Sequence, residues 1–331
     1  MVRERGRQRW HARTRGEQLK RIGLIDIDSH NFPNLPLMKI SSFHKKQGDF
    51  VEWYDPWHGF AEEYDKVYVS KVFSFSLDYE YPIYAKEIQY GGSGYCIKLV
   101  DGKEVYDKAK DKDLPYEIEH IYPDYSIYPT LTKDTAYGFL TRGCPRGCGF
   151  CHVASKEGRC SRKVADLSEF WNGQKNIVLC DPNILACPQH MELLQQLVNS
   201  KAKVNFNQGL DIRLVNDRNL ELIKRIRLQS IHFAFDRWQD KDVIEPKLRQ
   251  FAKQTGFNRH KGNVMVYILT NFDTTFEQDL YRIQLCRELN FSPYPMIYDK
   301  EHCDPVYRKL QRWCNNFIFW SVPTFEEYKR R

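Results

Sequence analysis

The residues best suited to chemistry are three cysteines, Cys144, Cys148 and Cys151, in the segment TRGCPRGCGFCH (residues 141–152). Thiolates of this kind are the ligands that soft metals and iron–sulfur clusters prefer. Three glycines in the same segment allow the backbone to turn tightly around one bound object. The spacing CxxxCxxC therefore predicts a metal centre held by three sulfur ligands.

The number of sulfur ligands distinguishes two kinds of metal centre. A [4Fe–4S] cluster that is held by three cysteines leaves one iron open to a substrate or cofactor. The alternative is a structural zinc site made of Cys144, Cys148, Cys151 and His152. Zinc sites usually draw their ligands from two separated pairs, and no second pair lies nearby in the sequence. We therefore expect an iron–sulfur cluster rather than zinc.

The cysteine segment resembles the signature of the radical S-adenosylmethionine (SAM) superfamily, including the aromatic residue, Phe150, before the third cysteine. The resemblance covers about residues 135–300. It implies an enzyme whose open iron binds the amino and carboxylate groups of SAM, and whose cluster delivers one electron to give a 5′-deoxyadenosyl radical. It also implies an electron donor such as a flavodoxin or a ferredoxin. It does not identify the substrate.

The elements that must position these cysteines indicate an α/β fold. Short apolar runs alternate with amphipathic segments from residue 135 onward, which predicts a parallel sheet curled into a partial (βα)6 radical SAM barrel over 135–300, with 301–331 as a C-terminal extension. Thr274 and Glu277 are expected to form a capping box at the start of the fifth helix. The predicted strands lie near 137–140, 176–179, 204–206, 231–235, 264–269 and 294–298.

Polar residues follow several of these strands, at the sheet edge where such folds place their active sites. The segments usual in the superfamily for the SAM amino group and for adenine are missing here, and Asp181 and Asn183 are proposed only as substitutes for the first of them. The polar groups after the third strand suit ribose hydroxyls and a carboxylate, which Arg213 could bind through two hydrogen bonds. We expect the polar residues after these strands to contact SAM or the substrate. They are Asp181, Asn183, Asn207, Gln208, Asp211, Arg213, Asp236 and Asn271.

Residues 22–100 are predicted to form a Rossmann-like open sheet, and residues 101–134, rich in Tyr and Pro, an irregular connector. The N-terminal part resembles a cobalamin-binding domain, although Pro33 stands where that family usually has glycine. The resemblance implies cobalamin as a candidate cofactor and methyl transfer as a candidate reaction. Without cobalamin, the alternative is hydrogen abstraction from the substrate followed by rearrangement, oxidation or thiolation. The residues that carry the resemblance are Asp28, His30, Ser70, Gly91 and Gly92.

The distribution of charge argues against nucleic-acid binding by the part of the chain that follows residue 22. The net charge is +7, but residues 1–22 alone contribute +6, so the remainder is close to neutral. We expect residues 1–21 to be a disordered basic tail. The chain has neither an apolar run long enough to cross a membrane nor a secretory signal, and we expect a cytoplasmic protein.

Two other functions remain open from the sequence. One is a non-catalytic zinc-containing adaptor whose basic tail contacts nucleic acid. The other is a degenerate barrel that binds a cluster and SAM without turnover. The remaining seven of the ten cysteines are too widely spread to predict a second cluster, and we expect them to be buried free thiols.

Overall fold

The computed structural model describes residues 19–28, 32–100, 103–315 and 318–329. The chain divides into two compact units. The first comprises the chain up to Leu99 together with Val105–Lys133, and the second comprises Val100–Glu104 and the chain from Asp134 onward. Each unit contains a parallel sheet with helices, which confirms the prediction of an α/β fold.

The first unit is built on four parallel strands. Its elements are β1 (Arg21–Asp26), α1 (Leu35–Lys46), β2 (Phe50–Trp53), α2 (Pro56–Ala61), β3 (Lys66–Ser70), β4 (Ile88–Gly91), α3 (Ser93–Cys96), β5 (Ile97–Val100), β6 (Lys103–Tyr106), α4 (Tyr116–Glu119) and α5 (Pro129–Thr132). The sheet order is β2-β1-β3-β4, and β5 pairs with β6 separately. A sheet in this order places the carboxyl ends of all four strands at one edge.

Helix α1 begins and ends where local chemistry requires it. The side chain of Asn34 accepts a hydrogen bond from the backbone N–H of Leu37 at 3.2 Å, which caps the first turn. Gly48 follows the helix with a φ of 84°, a conformation that glycine adopts without steric cost. The apolar face of α1 packs on β1 and β3 through Leu37, Ile40 and Ile22. The cap at Asn34 and the glycine at position 48 therefore account for the bounds of this helix.

The segment predicted as an irregular connector differs from that prediction, because much of it packs into the first unit. Ile118 in α4 is buried in the same core cluster as α1. The hydroxyl of Tyr128 donates to the carboxylate of Asp26, and Ser41 donates to Asp124 at 2.6 Å. The helices here have only four residues each. Elements this short leave no periodic pattern in the sequence.

A glycine pair in the first unit gives a matched test of backbone strain. Gly92 has a φ of 99°, and a Cβ there would lie 2.3 Å from the carbonyl oxygen of Lys71, whereas a Cβ on Gly91 would meet nothing within 4 Å. We expect Gly92→Ala to lower the free energy of unfolding by about 1–3 kcal/mol. Gly91→Ala should change it by less than about 0.5 kcal/mol. Equal effects in chemical denaturation would contradict this account.

The second unit carries the larger sheet. Its strands are β7 (Thr135–Gly138), β8 (Thr141–Arg142), β9 (Arg162–Lys163), β10 (Asn176–Leu179), β11 (Lys203–Leu210), β12 (Leu228–Ala234), β13 (Val264–Thr270) and β14 (Ser292–Ile297). Its helices are α6 (Val153–Lys156), α7 (His190–Ser200), α8 (Asp217–Arg225), α9 (Lys241–Thr255), α10 (Phe276–Glu288), α11 (Pro305–Cys314), α12 (Ile318–Ser321) and α13 (Phe325–Lys329).

Six of these strands form one parallel sheet in the order β14-β13-β12-β11-β10-β7. The order follows the chain, as the predicted strand–helix repeat requires. In the described residues β7 and β14 each pair on one side only, so the sheet is not closed. The prediction of six successive parallel strands is therefore confirmed, and every predicted strand position overlaps an observed one.

The two faces of this sheet differ in polarity. Phe233 in β12 packs against Phe251 of α9, with ring centroids 4.8 Å apart, and Ile231 and Phe233 are fully buried. Ser230 and His232 alternate with them and therefore lie on the face turned away from α9. That face carries the polar side chains of the central strands.

Two predictions about helices in this unit need correction. The capping box of α10 is formed by Thr275 and Gln278, one residue later than the predicted Thr274 and Glu277. The segment 301–331, predicted as an extension, supplies part of the core, because Trp313 is fully buried. The indole N–H of Trp313 donates to the carbonyl of Val322 at 3.1 Å. In the described part of the chain, no helix is long and apolar enough to cross a membrane.

Candidate cofactor site at the cysteine loop

The three predicted cysteines lie in a loop that directly follows the first strand of the large sheet. The two-residue strands β8 and β9 pair antiparallel and close the base of this loop. The backbone N–H of Cys144 donates to the carbonyl of Gly158 at 3.1 Å. A Cβ on Gly143, whose φ is 85°, would lie 2.3 Å from the carbonyl oxygen of Cys160. Only glycine fits at that crossing, so residues 143–161 form one compact loop.

The thiols of this loop influence one another. Cys144 and Cys148 are partly buried and Cys151 is exposed. Burial raises the pKa of Cys148, and the nearby thiols of Cys151 and Cys144 raise it further. In the described residues, no group of three His, Cys, Asp or Glu side chains is arranged to hold a metal ion. The three thiols are thus neighbours that are not in coordinating positions in this structure.

Asp181, predicted to contact SAM or substrate, instead binds the strand that leads into the loop. Its carboxylate accepts the backbone N–H of Leu140 at 3.1 Å and that of Thr141 at 2.5 Å. It also accepts the hydroxyl of Thr141 at 2.7 Å. The side chain is buried, and burial raises its pKa to about 6. Asp181 therefore fixes the start of the cysteine loop.

Asn183 lies beside the first cysteine. Its amide nitrogen is 3.6 Å from the sulfur of Cys144 and 3.5 Å from the carboxylate of Asp211. The residue is 3% exposed, and its side-chain oxygen has no hydrogen-bond partner among the residues that the structure describes. A buried acceptor without a donor is costly unless a ligand supplies one. This oxygen fits a ligand that brings an N–H or O–H group next to Cys144.

Arg213 does not have the free guanidinium group that the sequence suggested for a ligand carboxylate. Its Nε donates to Asp211 at 2.7 Å, and its Nη1 donates to Asp240 at 2.9 Å. Burial opposes the charge on Asp211, but hydrogen bonds from Arg213 and Arg146 outweigh it and hold the pKa of Asp211 below its ordinary value. These partners could not be predicted from the sequence, because spacing along the chain does not reveal which side chains meet.

Asn207 and Gln208 lie in an irregular part of β11. The pairing register with β12 shifts between Phe206 and Leu210, and Gly209 has a φ of 92°. The carbonyl of Asn207 is left to accept the hydroxyl of Tyr267 at 2.7 Å. The side chain of Gln208 is exposed. The bulge thus turns a backbone carbonyl towards neighbouring side chains.

A histidine that the sequence analysis missed lies next to this bulge. His232 bonds through Nδ1 to the hydroxyl of Tyr267 at 2.6 Å and through Nε2 to the hydroxyl of Ser230. The hydroxyl of Ser230 also lies 3.1 Å from the side-chain oxygen of Asn205. Burial lowers the pKa of His232. Alternation of Ser230 and His232 with apolar residues along a predicted strand is the signal that could have revealed it.

Asp236 and Asn271 follow the next two strands, as predicted. Asp236 accepts the backbone N–H of Leu269 at 2.9 Å and contributes to the raised pKa of Cys148. The side-chain amide of Asn271 donates to the carbonyl of Tyr298 at 3.1 Å, so this group joins two strand ends. Both residues therefore lie at the carboxyl edge of the sheet, and Asp236 is close enough to the loop to affect it electrostatically.

Phe150 belongs to an aromatic row at the same edge. Its ring centroid is 5.3 Å from that of Phe272, which is 4.7 Å from that of Tyr298. Both contacts are edge-to-face, a favourable arrangement for aromatic rings. The row connects the cysteine loop with the ends of β13 and β14.

The carboxyl group of Asp236 should make stability depend on pH. Burial raises its pKa to about 6, so the folded state binds this proton more tightly than the unfolded state. Stability from this group is then greatest below about pH 4 and is lost as the pH rises to about 6, by up to about 3 kcal/mol. Asp236→Asn, measured by denaturation, should therefore gain stability over wild type at pH 7 and lose that gain at pH 4. The same stability difference between variant and wild type at both pH values would contradict this. The control is Asp242→Asn, because Asp242 is exposed on α9.

The described cobalamin-related residues of the first unit mostly contact other residues of the same unit. Asp28 accepts the backbone N–H of Val72 and the hydroxyl of Ser76. The hydroxyl of Ser70 accepts the amide of Asn34 at 2.8 Å. Gly92 is packed against the backbone of Lys71, and Gly91 borders open space. His30 lies outside the described residues.

Lys71 takes the space beside Gly92, one of the two glycines that would make room for a nucleotide. Its side chain is 8% exposed, and its Nζ donates to Asp78 at 2.8 Å. A Cβ on Gly94 would lie 2.4 Å from Cγ of Lys71. Because this lysine fills the edge of the sheet beside β4, the described residues do not fit the nucleotide tail of cobalamin.

Comparison with known proteins does not establish a family. No family model matches the chain. An uncharacterized protein of Methanocaldococcus jannaschii is 39% identical over 75 residues. The match covers 18% of this chain and 16% of that protein. SuiB of Streptococcus suis, in a crystal structure bound to S-adenosylmethionine, is 12% identical with a TM-score of 0.39; the match covers 65% of this chain and 53% of SuiB. The chain thus spans less than two thirds of either protein, and a structural likeness this low supports no functional conclusion.

Proposed function

We propose that this chain is a radical SAM enzyme in which Cys144, Cys148 and Cys151 hold a [4Fe–4S] cluster. One observation carries the proposal: three neighbouring thiols lie on one compact loop that follows the first strand of a sequentially ordered, six-stranded parallel sheet. Thiolates in this number leave one iron without a protein ligand. With SAM bound there, the cluster would supply reductive cleavage of the sulfonium to a 5′-deoxyadenosyl radical.

The residues around the loop would bind and orient SAM. Asn183 offers a buried oxygen without a donor beside Cys144, which suits the ammonium group of SAM. Phe150 and Phe272 provide apolar ring surface at the same edge of the sheet. Asp181 holds the base of the loop through Thr141. The reductive step also requires an electron donor, for which we propose a flavodoxin or a ferredoxin.

Cobalamin is not part of the proposed function. Lys71 occupies the space beside Gly92 in the candidate site, and the side chains of Asp28 and Ser70 are already hydrogen-bonded to other residues of the unit. We expect hydroxocobalamin, mixed with the protein under anaerobic conditions, to separate from it completely on gel filtration. Retention of one cobalamin per chain would contradict this. Methyl transfer assisted by cobalamin would then return as the reaction.

The test is anaerobic reconstitution of the full chain with iron and sulfide, followed by SAM and dithionite. We expect about four irons and four sulfides per chain and release of 5′-deoxyadenosine. Zinc in place of iron and sulfide would overturn the proposal in favour of the non-catalytic adaptor. A bound cluster and bound SAM without 5′-deoxyadenosine would overturn it in favour of a degenerate barrel.

A further inference from the structure

Arg146, a spacer residue between the first two cysteines, makes a long-range bond. Its Nε donates to the carboxylate of Asp211 at 2.5 Å, across 65 residues of sequence. Two other ties of the loop are local: Gly143 donates its N–H to Glu157 at 2.9 Å, and Arg142 pairs with the same carboxylate. Arg146 therefore connects the cysteine loop to the end of a different strand, β11.

The partner of Arg146 is well suited to hold it. The Asp211 side chain is only 6% exposed and already accepts the Nε of Arg213. Charge-assisted hydrogen bonds to a buried carboxylate are stronger than exposed ion pairs. Arg213 is itself anchored to Asp240, which follows β12. Asp211 is thus a fixed anchor rather than a mobile surface group.

These bonds connect the ends of four consecutive strands of the sheet. The loop after β7 supplies Arg146, the segment after β10 supplies Asn183, the segment after β11 supplies Asp211 and Arg213, and the segment after β12 supplies Asp240. The charges of the two arginines and two aspartates cancel. The bonded set therefore stabilises the edge of the sheet without giving it a net charge.

The cysteine loop needs such a tie because glycine makes it entropically costly to order. Gly143 and Gly147 have φ values of 85° and 59°, and glycine loses more conformational freedom on ordering than any other residue. We propose that Arg146 is a positioning residue: bound to Asp211, it keeps the cysteine loop folded before a cluster enters. The role of the loop as a cluster ligand rests on the proposed function, but the tie itself does not.

Hydrogen–deuterium exchange of the full chain before reconstitution tests the tie directly. In Arg146→Gln we expect the amides of residues 143–152 to exchange about ten-fold faster than in wild type, because local opening becomes easier. Arg146→Lys, which keeps the charge, should recover much of the protection. Arg308→Gln is the control, since Arg308 is exposed, lies outside the cysteine loop and donates to the backbone carbonyl of Lys300 at 2.8 Å. Unchanged exchange in Arg146→Gln would overturn the proposal.

Reconstitution separates this inference from the proposed function. If the wild type binds a cluster, Arg146→Gln should lose it several-fold faster to a chelator and give an altered electron paramagnetic resonance spectrum, both restored in Arg146→Lys. A cluster with unchanged stability and spectrum would also overturn the positioning role. If the wild type binds no cluster but Arg146→Gln still accelerates exchange of residues 143–152, the proposed function fails while the tie stands.

Discussion

Cys148→Ala is expected to abolish the cluster and, with it, reductive cleavage of SAM. Cys148 is the central thiol of the three, and its ionisation is affected by both of the others. With two protein sulfurs left, two irons of the cluster lack a protein ligand, and thiolates are what hold such clusters. Iron should fall from about four per chain to background, the visible absorbance should disappear, and 5′-deoxyadenosine should fall to the level without enzyme.

Cys303→Ala is the matched control. Cys303 is a free thiol of the same unit whose sulfur donates to the carbonyl of Lys300 at 3.4 Å, and it lies outside the cysteine loop. This variant should keep its iron, sulfide and SAM cleavage. A Cys148→Ala protein with full absorbance and activity, or equal losses in the two variants, would rule out the proposed ligand set.

The order of the sheet could be predicted because it follows from local patterns. Residues 176–179 were predicted as a strand and form β10 with the same bounds. Helix α7, which spans His190–Ser200, is the amphipathic segment that follows this strand. Apolar runs separated by amphipathic segments restrict the topology to parallel strands with crossover helices. The position of the cysteine loop after the first strand of the sheet follows from the same reasoning.

The partners of the polar residues could not be predicted in the same way. Asp181 binds Thr141, 40 residues earlier, and Asp211 binds Arg146, 65 residues earlier. Position after a strand places a side chain at the correct edge of the sheet, but it does not show whether that side chain meets a ligand or another residue. Most of these residues bind the protein, whereas the buried oxygen of Asn183 has no partner among the described residues.

The second large effect is expected at a buried ion pair behind the same edge of the sheet. Arg282 and Asp279 in α10 are both fully buried and bonded to each other. Arg282 also donates to the carbonyl of Leu269 at 2.8 Å and to that of Phe235. It therefore binds the chain next to Asp236. Asp279→Ala would leave the guanidinium of Arg282 buried without the carboxylate to which it is bonded.

We expect Asp279→Ala to lower the free energy of unfolding of the second unit by about 3–5 kcal/mol, the usual cost of an uncompensated buried charge. The same substitution also removes the carboxylate that accepts the backbone N–H of Asn271 at 3.0 Å. Denaturant unfolding monitored by circular dichroism measures the change. The double variant Asp279→Ala with Arg282→Leu should recover part of the lost free energy of unfolding, because it also removes the buried charge of Arg282.

Glu221→Ala provides the comparison, because its 2.8 Å pair with Lys224 on α8 is exposed. An exposed pair of this kind contributes less than about 1 kcal/mol. A loss of similar size in Asp279→Ala would mean that water reaches Arg282 and compensates its charge. The strand ends that carry Asp236 and Asn271 would then be held by the backbone pairing of β12 and β13 rather than by Arg282, and the buried pair would have no part in fixing the edge of the sheet beside the cysteine loop.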